Sequence, residues 1–222
     1  LIMRLVTSNP SPSYVGRVSA VFANNGQGVR GDMKAVIRAI LMDSEARADP
    51  TGTTSGKLRE PVMRVSGWAR AFGATSTAGL WPIGDTSSTN NRLGQSMGRS
   101  PSVFNFFRPG YAPPNTAIAT AGLVAPEFQI TNELSVVAYV NFLQSLIGGS
   151  VGDVKASYDT LQSLTDSQAL VDAVNQLIAA GQVSAGTIAT IKSAVDSVST
   201  PANKINAAVL LVMASPEYLT LK

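Results

Sequence analysis

Three groups of polar residues in this 222-residue chain have the side-chain types and spacing that could bind a ligand or take part in catalysis. The first group is Lys57, Arg59, Glu60 and Arg64. Glu60 and Arg64 are four positions apart, which suits an ion pair on a helix surface. Clustered guanidinium groups could instead bind a carboxylate or a phosphate through paired hydrogen bonds. We favour the ion pair and keep the anion site as the functional alternative.

The second group lies at residues 100–111, where Asn105 and Arg108 stand among three phenylalanines. One interpretation is a loop held in place by its aromatic residues. Asn105 and Arg108 would then hydrogen-bond backbone carbonyls that burial otherwise leaves unpaired. A binding site would use the same polar groups on a ligand. We favour the packed loop.

Glu127 and Glu133 form the third group. Paired carboxylates can act as acid and base, or bind calcium or magnesium. On one continuous helix their separation is a rotation of about 600°, so they would face opposite sides unless Thr131 or Asn132 breaks the helix. We therefore expect helix-start charges or partners for the arginines. The candidate binding residues are Arg59, Glu60, Asn105, Arg108, Glu127 and Glu133, and no catalytic residue is assigned.

The composition excludes several kinds of site, because the chain has neither cysteine nor histidine. Disulfides, metal sites built on Cys or His, and a complete Ser–His–Asp triad cannot come from this chain alone. Any metal would need carboxylate or carbonyl ligands, which favours calcium or magnesium. We expect no metal site and no cofactor.

Charge is distributed unevenly along the chain. Residues 1–111 hold 13 basic and 6 acidic side chains, and residues 112–222 hold 4 basic and 8 acidic ones, which make up the 17 and 14 of the whole. Such asymmetry is typical of an anion-binding surface, or of a basic half that docks on an acidic partner surface, and we favour docking. No basic cluster with interleaved aromatic residues occurs, so we expect no nucleic-acid partner.

Helical periodicity dominates the elements that must position these residues, and it predicts an all-α fold. We expect an irregular multi-helix domain with a long packed loop region in the middle. The domain would cover residues 1–222, or form the C-terminal part of a longer domain. Its parts are helices over 1–73, a loop-rich insert over 74–125 and a helical subdomain over 126–222. Apolar residues should anchor the insert: Leu80, Trp81, Phe104, Phe106, Phe107 and Tyr111.

Capping residues and apolar spacing locate the individual helices. Ser11 and Ser184 are predicted N-caps, and a capping box is predicted to begin at Thr165. Further helices are predicted to begin near Asp32 and at Thr200-Pro201. The predicted buried faces are Val15, Val18 and Phe22 after Ser11, then Met33, Val36, Ile37, Ile40 and Leu41 after Asp32. Between Leu134 and Ile147 two apolar stripes predict a helix covered on two sides.

Residues 35–45 resemble residues 207–217, since each stretch is an apolar helix followed by a small polar residue and a glutamate. One explanation is a shared way of ending a helix, with Glu45 and Glu217 in the first turn of a new helix. The other is an ancient duplication. We favour the shared helix ending.

The first residues have the spacing of a helix end that stops at Asn9-Pro10, so we expect the chain to be part of a longer protein. The longest unbroken apolar run, at residues 207–214, is far shorter than the roughly 20 residues of a membrane-spanning helix. We therefore expect no transmembrane segment in this chain.

Several motifs in a fixed order resemble a bacterial family known as domain of unknown function 1800. They are NNGQGVRGD at residues 24–32, GKLREP at 56–61, SPSVFNFFRPGY at 100–111, APEFQITNE at 125–133 and MASPEY at 213–218. The resemblance spans nearly the whole chain and is to the C-terminal part of the family. It implies an exported bacterial protein that is periplasmic, at the cell surface or secreted, and it implies no reaction. It also implies two partners, the upstream part of the same protein and another exported protein.

Our leading hypothesis is a helical part of an exported protein that acts by binding or scaffolding. The alternative is a substrate-orienting part of a hydrolase-like enzyme whose catalytic groups lie in a missing N-terminal half. A second alternative is a cell-surface assembly subunit. Convergence of Arg59, Asn105, Arg108 and Glu127 on one open cleft would favour a ligand site. Burial and pairing would favour a structural role, and Arg59→Ala would then cost a few kcal/mol by stranding a carboxylate.

Overall fold

A computed structural model describes residues 1–48 and 55–221 of the chain. Within these residues it has eleven α-helices, one 3-10 helix and four strands of two residues each, which confirms the all-α prediction. The helices are α1 (Ile2–Leu5), α2 (Pro12–Ala23), α3 (Met33–Met42), α4 (Pro61–Ala71), α5 (Ala117–Thr120), α6 (Glu133–Ile147), α7 (Asp159–Gln162), α8 (Ser167–Ala179), α9 (Ala185–Asp196), α10 (Pro201–Ala214) and α11 (Pro216–Leu219). The strands are β1 (Lys57–Leu58), β2 (Thr75–Ser76), β3 (Val154–Lys155) and β4 (Thr220–Leu221), and the 3-10 helix is Pro126–Ile130.

The chain folds into two compact units, each assembled from segments that are distant in sequence. Unit 1 comprises Leu1–Leu58, Phe107–Gln129 and Thr220–Lys222. Unit 2 comprises Arg59–Phe106 and Ile130–Leu219. The single domain over residues 1–222, with parts at 1–73, 74–125 and 126–222, stays a prediction.

Unit 1 is organised around the packed pair α2 and α3. The Ser11 hydroxyl caps α2 by accepting a hydrogen bond from the Tyr14 N–H at 3.1 Å. Tyr14 is buried, and its hydroxyl donates to the carbonyl of Ile40 in α3. The core of this unit consists of Ile2, Tyr14, Val18, Val36 and Ile40. Antiparallel pairing of β1 with β4 ties residues 57–58 to residues 220–221.

Unit 2 is organised around α10, which packs against α6, α7, α8, α9 and α11. Its buried positions are Ile205, Ala208, Val209, Val212 and Met213. Trp68 of α4 and Leu146 of α6 belong to the same core. The short strands β2 and β3 pair antiparallel, with Thr75 opposite Lys155. This core is the larger of the two, because helices cover α10 on several sides.

The predicted caps at Ser11 and Ser184 and the predicted helix starts near Asp32 and at Thr200 are confirmed. The side chain of each of these four residues accepts a backbone N–H at the start of its helix. The predicted capping box at Thr165 is wrong. The cap of α8 is the next residue, Asp166, whose carboxylate accepts the Ala169 N–H at 2.8 Å. Both residues can cap a helix, so the start of α8 was ambiguous by one position.

The predicted buried faces of α2 and α3 are only partly correct. Val18, Val36 and Ile40 are buried, as predicted. The remaining members of the two faces are exposed: Val15, Phe22, Met33, Ile37 and Leu41. Among the described residues, no element covers one side of each apolar stripe. The helix predicted to be covered on two sides, α6, likewise leaves Val136 exposed.

The region after α4 is mostly loop, as predicted, but its predicted anchors are only partly correct. Phe107 is buried, whereas Leu80, Trp81 and Phe104 are exposed. Other contacts hold the loop of unit 2. Leu93 is buried and its N–H donates to the Thr86 carbonyl at 3.1 Å.

The two glutamates of the sequence echo differ in local structure. Glu217 lies in the first turn of α11, as predicted. Glu45 lies in a turn, so its predicted place in a new helix is wrong. Among the residues that the structure describes, no helix is long and apolar enough to cross a membrane.

Candidate functional site

Unit 1 contains a groove of about 580 Å³ along α1, α2 and α3. Its walls are largely apolar, and they include the exposed side chains of Val15 and Phe22. The lining residues are Leu1, Ile2, Met3, Arg4, Pro10, Val15, Val18, Ser19, Phe22, Val36, Ile40, Phe107, Pro109, Pro126 and Glu127. A groove of this size and polarity is within the range of ligand sites in proteins.

A buried ion pair stands beside this groove. The Lys57 ammonium lies 2.9 Å from a carboxylate oxygen of Glu127, and the two side chains are only 3% and 2% exposed. The same ammonium donates to the backbone carbonyls of Met3 and Arg4 at 3.2 and 3.1 Å. Lys57 is placed by β1 and Glu127 by the 3-10 helix, so the pair joins three separate segments of unit 1. Burial of two charges is favourable only when such contacts compensate the lost hydration.

Arg4 and Phe107 are further polar and aromatic members of the groove wall. The Arg4 guanidinium lies 4.4 Å from the centre of the Phe107 ring, within the range of a cation–π contact. Phe107 is buried, so the stacked arginine sits against a fixed surface. The groove therefore offers an apolar surface with one guanidinium and one ion-paired carboxylate at its edge.

Unit 2 holds a second concentration of charge around two arginines. The Arg59 guanidinium stacks on the Tyr218 ring at 4.5 Å, and the Arg64 guanidinium stacks on the Tyr139 ring at 4.8 Å. Burial lowers the pKa of Arg64, and burial raises the pKa values of Tyr139 and Tyr218. The Tyr218 hydroxyl donates to the Arg64 carbonyl at 3.0 Å. Both guanidinium groups thus stack on tyrosine rings, and that of Arg64 also donates to a backbone carbonyl.

The ion pair predicted between Glu60 and Arg64 is wrong. Pro61 begins α4, so Glu60 is the N-cap residue and has extended backbone angles. Its carboxylate accepts a hydrogen bond from the Gln95 amide at 2.6 Å. The Arg64 side chain turns back instead and donates from Nε to the Arg59 carbonyl at 2.7 Å. The i,i+4 rule failed because only one of the two residues is helical.

The six predicted binding residues are divided between the units. Arg59, Glu60, Asn105 and Glu133 belong to unit 2, and Arg108 and Glu127 belong to unit 1. In unit 2, Glu60 and Asn105 line one pocket of about 230 Å³. Their roles as binding residues stay predictions.

Three of these residues have local roles that the structure describes. Asn105 has a left-handed backbone with φ +69°, which asparagine tolerates better than most residues. Arg108 is exposed, and its backbone N–H donates to the Gln129 side chain at 2.8 Å. Glu133 is exposed at the first position of α6, where a negative charge favours the helix dipole.

Sequence reasoning missed the pairing of Lys57 with Glu127 and the groove itself. The two charged residues are 70 positions apart, and no periodicity connects them. The spacing of Val15 and Phe22 is that of a buried helix face, so it predicts core positions for both. Their apolar character was the available signal, but spacing alone does not tell whether a face is covered.

No group of three or more Asp or Glu side chains within residues 1–48 and 55–221 is placed to hold a metal ion. The fold and the groove together define a helical protein with an open apolar surface. The family model described as "Protein of unknown function (DUF1800)" matches residues 1–220, so the chain belongs to this family. No curated protein and no solved structure is matched by the chain.

Proposed function

We propose that this chain acts by binding, and that the groove of unit 1 receives an apolar segment from outside this chain. The observation that carries this proposal is the apolar lining of the groove, with Val15 and Phe22 exposed on α2. Exposed apolar side chains that line one concave surface are typical of an interaction site. The protein is then a binding or scaffolding part of an exported bacterial protein.

The charged residues of the groove support binding over chemistry. The Glu127 carboxylate is engaged by Lys57 in a buried ion pair, and the Arg4 guanidinium is stacked on Phe107. Groups fixed in this way are suited to shaping a surface and orienting a bound segment. A cell-surface assembly subunit would use the groove in the same manner. The substrate-orienting part of a hydrolase-like enzyme stays a prediction of the sequence.

The location and partners of the chain are part of the same proposal. The family resemblance favours a periplasmic, cell-surface or secreted protein. The partner segment would come from the upstream part of the same protein or from another exported protein. Both sources fit a groove that takes up apolar side chains.

Binding of the uncharged dye Nile red, which fluoresces in apolar surroundings, tests whether the groove is accessible. Two variants on α2 form a matched pair, because Ser19 lines the groove and its exposed neighbour Ala20 does not. Ser19→Trp should fill the groove and weaken dye binding by about tenfold, which corresponds to about 1.4 kcal/mol. Ala20→Trp adds the same side chain to the same helix and should leave binding unchanged. Equal binding by both variants would show that the dye binds elsewhere and would remove the support for this site.

A further inference from the structure

Two helical hairpins in the chain share the same closing contact. In the first hairpin, α2 and α3, the Ser11 N–H and hydroxyl both donate to the Glu45 carboxylate, the N–H at 2.9 Å. In the second hairpin, α9 and α10, the Ser184 N–H donates to Glu217 at 3.2 Å, and Thr187 donates to the same oxygen at 2.8 Å. In each case the serine caps the first helix and the glutamate follows the second.

The spacing of these contacts makes the hairpins comparable position by position. The serine and glutamate are 34 residues apart in the first hairpin and 33 in the second. The first helix has 12 residues in both. The echo between residues 35–45 and 207–217 thus extends over a whole hairpin, which a shared helix ending alone would not require.

Equivalent apolar positions are exposed in the first hairpin and buried in the second. Met33, Ile37 and Leu41 of α3 are 43%, 42% and 48% exposed. Their counterparts in α10 are Ile205, Val209 and Met213, which are 5%, 0% and 0% exposed. The apolar pattern is therefore the same, and the difference lies in what covers it.

The packing of α8 in unit 2 shows what kind of element covers the corresponding hairpin of α9 and α10. α8 packs against both α9 and α10, and α6 also packs against α10. α8 presents the buried aliphatic side chains of Leu170, Val171 and Val174, which share one core with Ile205 and Val209. A 13-residue amphipathic helix thus covers the second hairpin.

The charged residues beside the exposed apolar row of α3 indicate which polar residues a partner would carry. Lys34 and Arg38 are exposed on α3, and at 100° per residue they flank the row formed by Met33, Ile37 and Leu41. Within the described part of unit 1 there are eight basic and four acidic side chains. A partner helix that places acidic residues along this flank would complement the basic side.

We propose that the exposed apolar side chains of the first hairpin, Val15 and Phe22 on α2 with Met33, Ile37 and Leu41 on α3, together form a face that docks an amphipathic α-helix of a partner protein. The partner helix carries an aliphatic stripe like that of α8 and acidic residues on the flank that meets Lys34 and Arg38. This inference rests on the proposed binding function and names the class of its partner.

A fluorescent peptide with the sequence of residues 165–181 is a suitable probe, since it carries the α8 stripe and its ionisable side chains are acidic. Fluorescence anisotropy with the intact chain should show saturable binding. Ile37→Asp in the chain should weaken binding by about tenfold, as for a residue at the centre of an interface. The control is Val136→Asp, because Val136 is similarly exposed, at 51%, on α6 of unit 2. Thermal unfolding of each variant checks that it is folded.

The charge of the flank is tested by the double variant Lys34→Glu and Arg38→Glu. It should weaken peptide binding severalfold, and the remaining binding should depend less on salt.

Three results would overturn the inference. The first is that the peptide does not bind at any concentration up to its solubility limit. The second is that the peptide binds Ile37→Asp as tightly as the unchanged chain. The third is that the chain self-associates and Ile37→Asp abolishes this self-association. The last result would mean that a second copy occupies the face. If peptide binding fails while Ser19→Trp still displaces Nile red, the groove stands and only the class of partner is wrong. If both measurements fail, the proposed binding function fails as well.

Discussion

Replacement of Lys57 by methionine tests whether the buried ion pair stabilises unit 1. The two side chains are 3% and 2% exposed and their charged atoms are 2.9 Å apart. Methionine has nearly the length of the lysine stem but no charge. The variant would leave the Glu127 carboxylate buried without its lysine partner, and breaking such a pair costs about 3–5 kcal/mol. The carbonyls of Met3 and Arg4 would lose a charged donor at the same time.

Guanidinium chloride unfolding followed by circular dichroism measures this loss. A double variant, Lys57→Met with Glu127→Leu, removes both charges. It therefore separates the effect of losing the ion pair from the cost of burying the Glu127 carboxylate without its lysine partner. Because an apolar pair is often as stable as a buried ion pair, the double variant should recover about 2 kcal/mol or more of the loss. The comparison of single and double variants gives the coupling between the two positions.

An exposed lysine–aspartate pair provides the control. Lys192 lies 2.6 Å from Asp196 with both side chains well exposed, and Lys192→Met should leave the unfolding midpoint nearly unchanged. If Lys57→Met behaved like this control, the buried Glu127 carboxylate would not depend on its lysine partner. If the double variant were as unstable as the losses of Lys57→Met and Glu127→Leu added together, the two positions would not be coupled. Either result would contradict the prediction.

Three further perturbations test other contacts. Arg59→Ala should cost about 1 kcal/mol in denaturant unfolding, since it removes the stacking of the guanidinium on Tyr218. The hydrogen bond from Arg17 lowers the pKa of the Asp43 carboxyl group in the folded state. The ionised Asp43 carboxylate therefore stabilises the fold fully at pH values above the ordinary pKa of aspartate, and this stabilisation is lost as the pH falls through the folded-state pKa. In thermal unfolding between about pH 6 and about pH 2, Asp43→Asn should therefore show a shallower fall in stability. Gly152→Ala should destabilise by about 2 kcal/mol in thermal unfolding, because φ is +55° and the new Cβ would lie 2.6 Å from a proline carbon.

Helix starts could be predicted from the sequence because a cap is a local contact. Ser11, Ser184 and Thr200 each accept an N–H three residues later, and a proline at the next position strengthens two of these signals. The error at Thr165 has the same origin, since Asp166 is an equally good cap one position later. Local chemistry thus gives the elements with an uncertainty of about one residue.

Contacts between distant segments could not be predicted in this way. Proximity in sequence groups Lys57 with Arg59, but Lys57 forms its ion pair with Glu127. The short β1–β4 pairing and the 3-10 helix place the two charges, and neither element has a periodic signal. The stacking of the Arg59 guanidinium on the Tyr218 ring likewise joins residues distant in sequence, and no spacing in the chain indicates it.

The two hairpins show why the candidate site was the hardest part to predict. An apolar row at i, i+4 and i+8 states that a helix face is suited to burial. It does not state whether the covering element lies in the same compact unit. In α10 the row is Ile205, Val209 and Met213, and α8 packs against the hairpin that contains it. In α3 the same kind of row is left bare, so a pattern first assigned to the core becomes the best indication of an interaction surface.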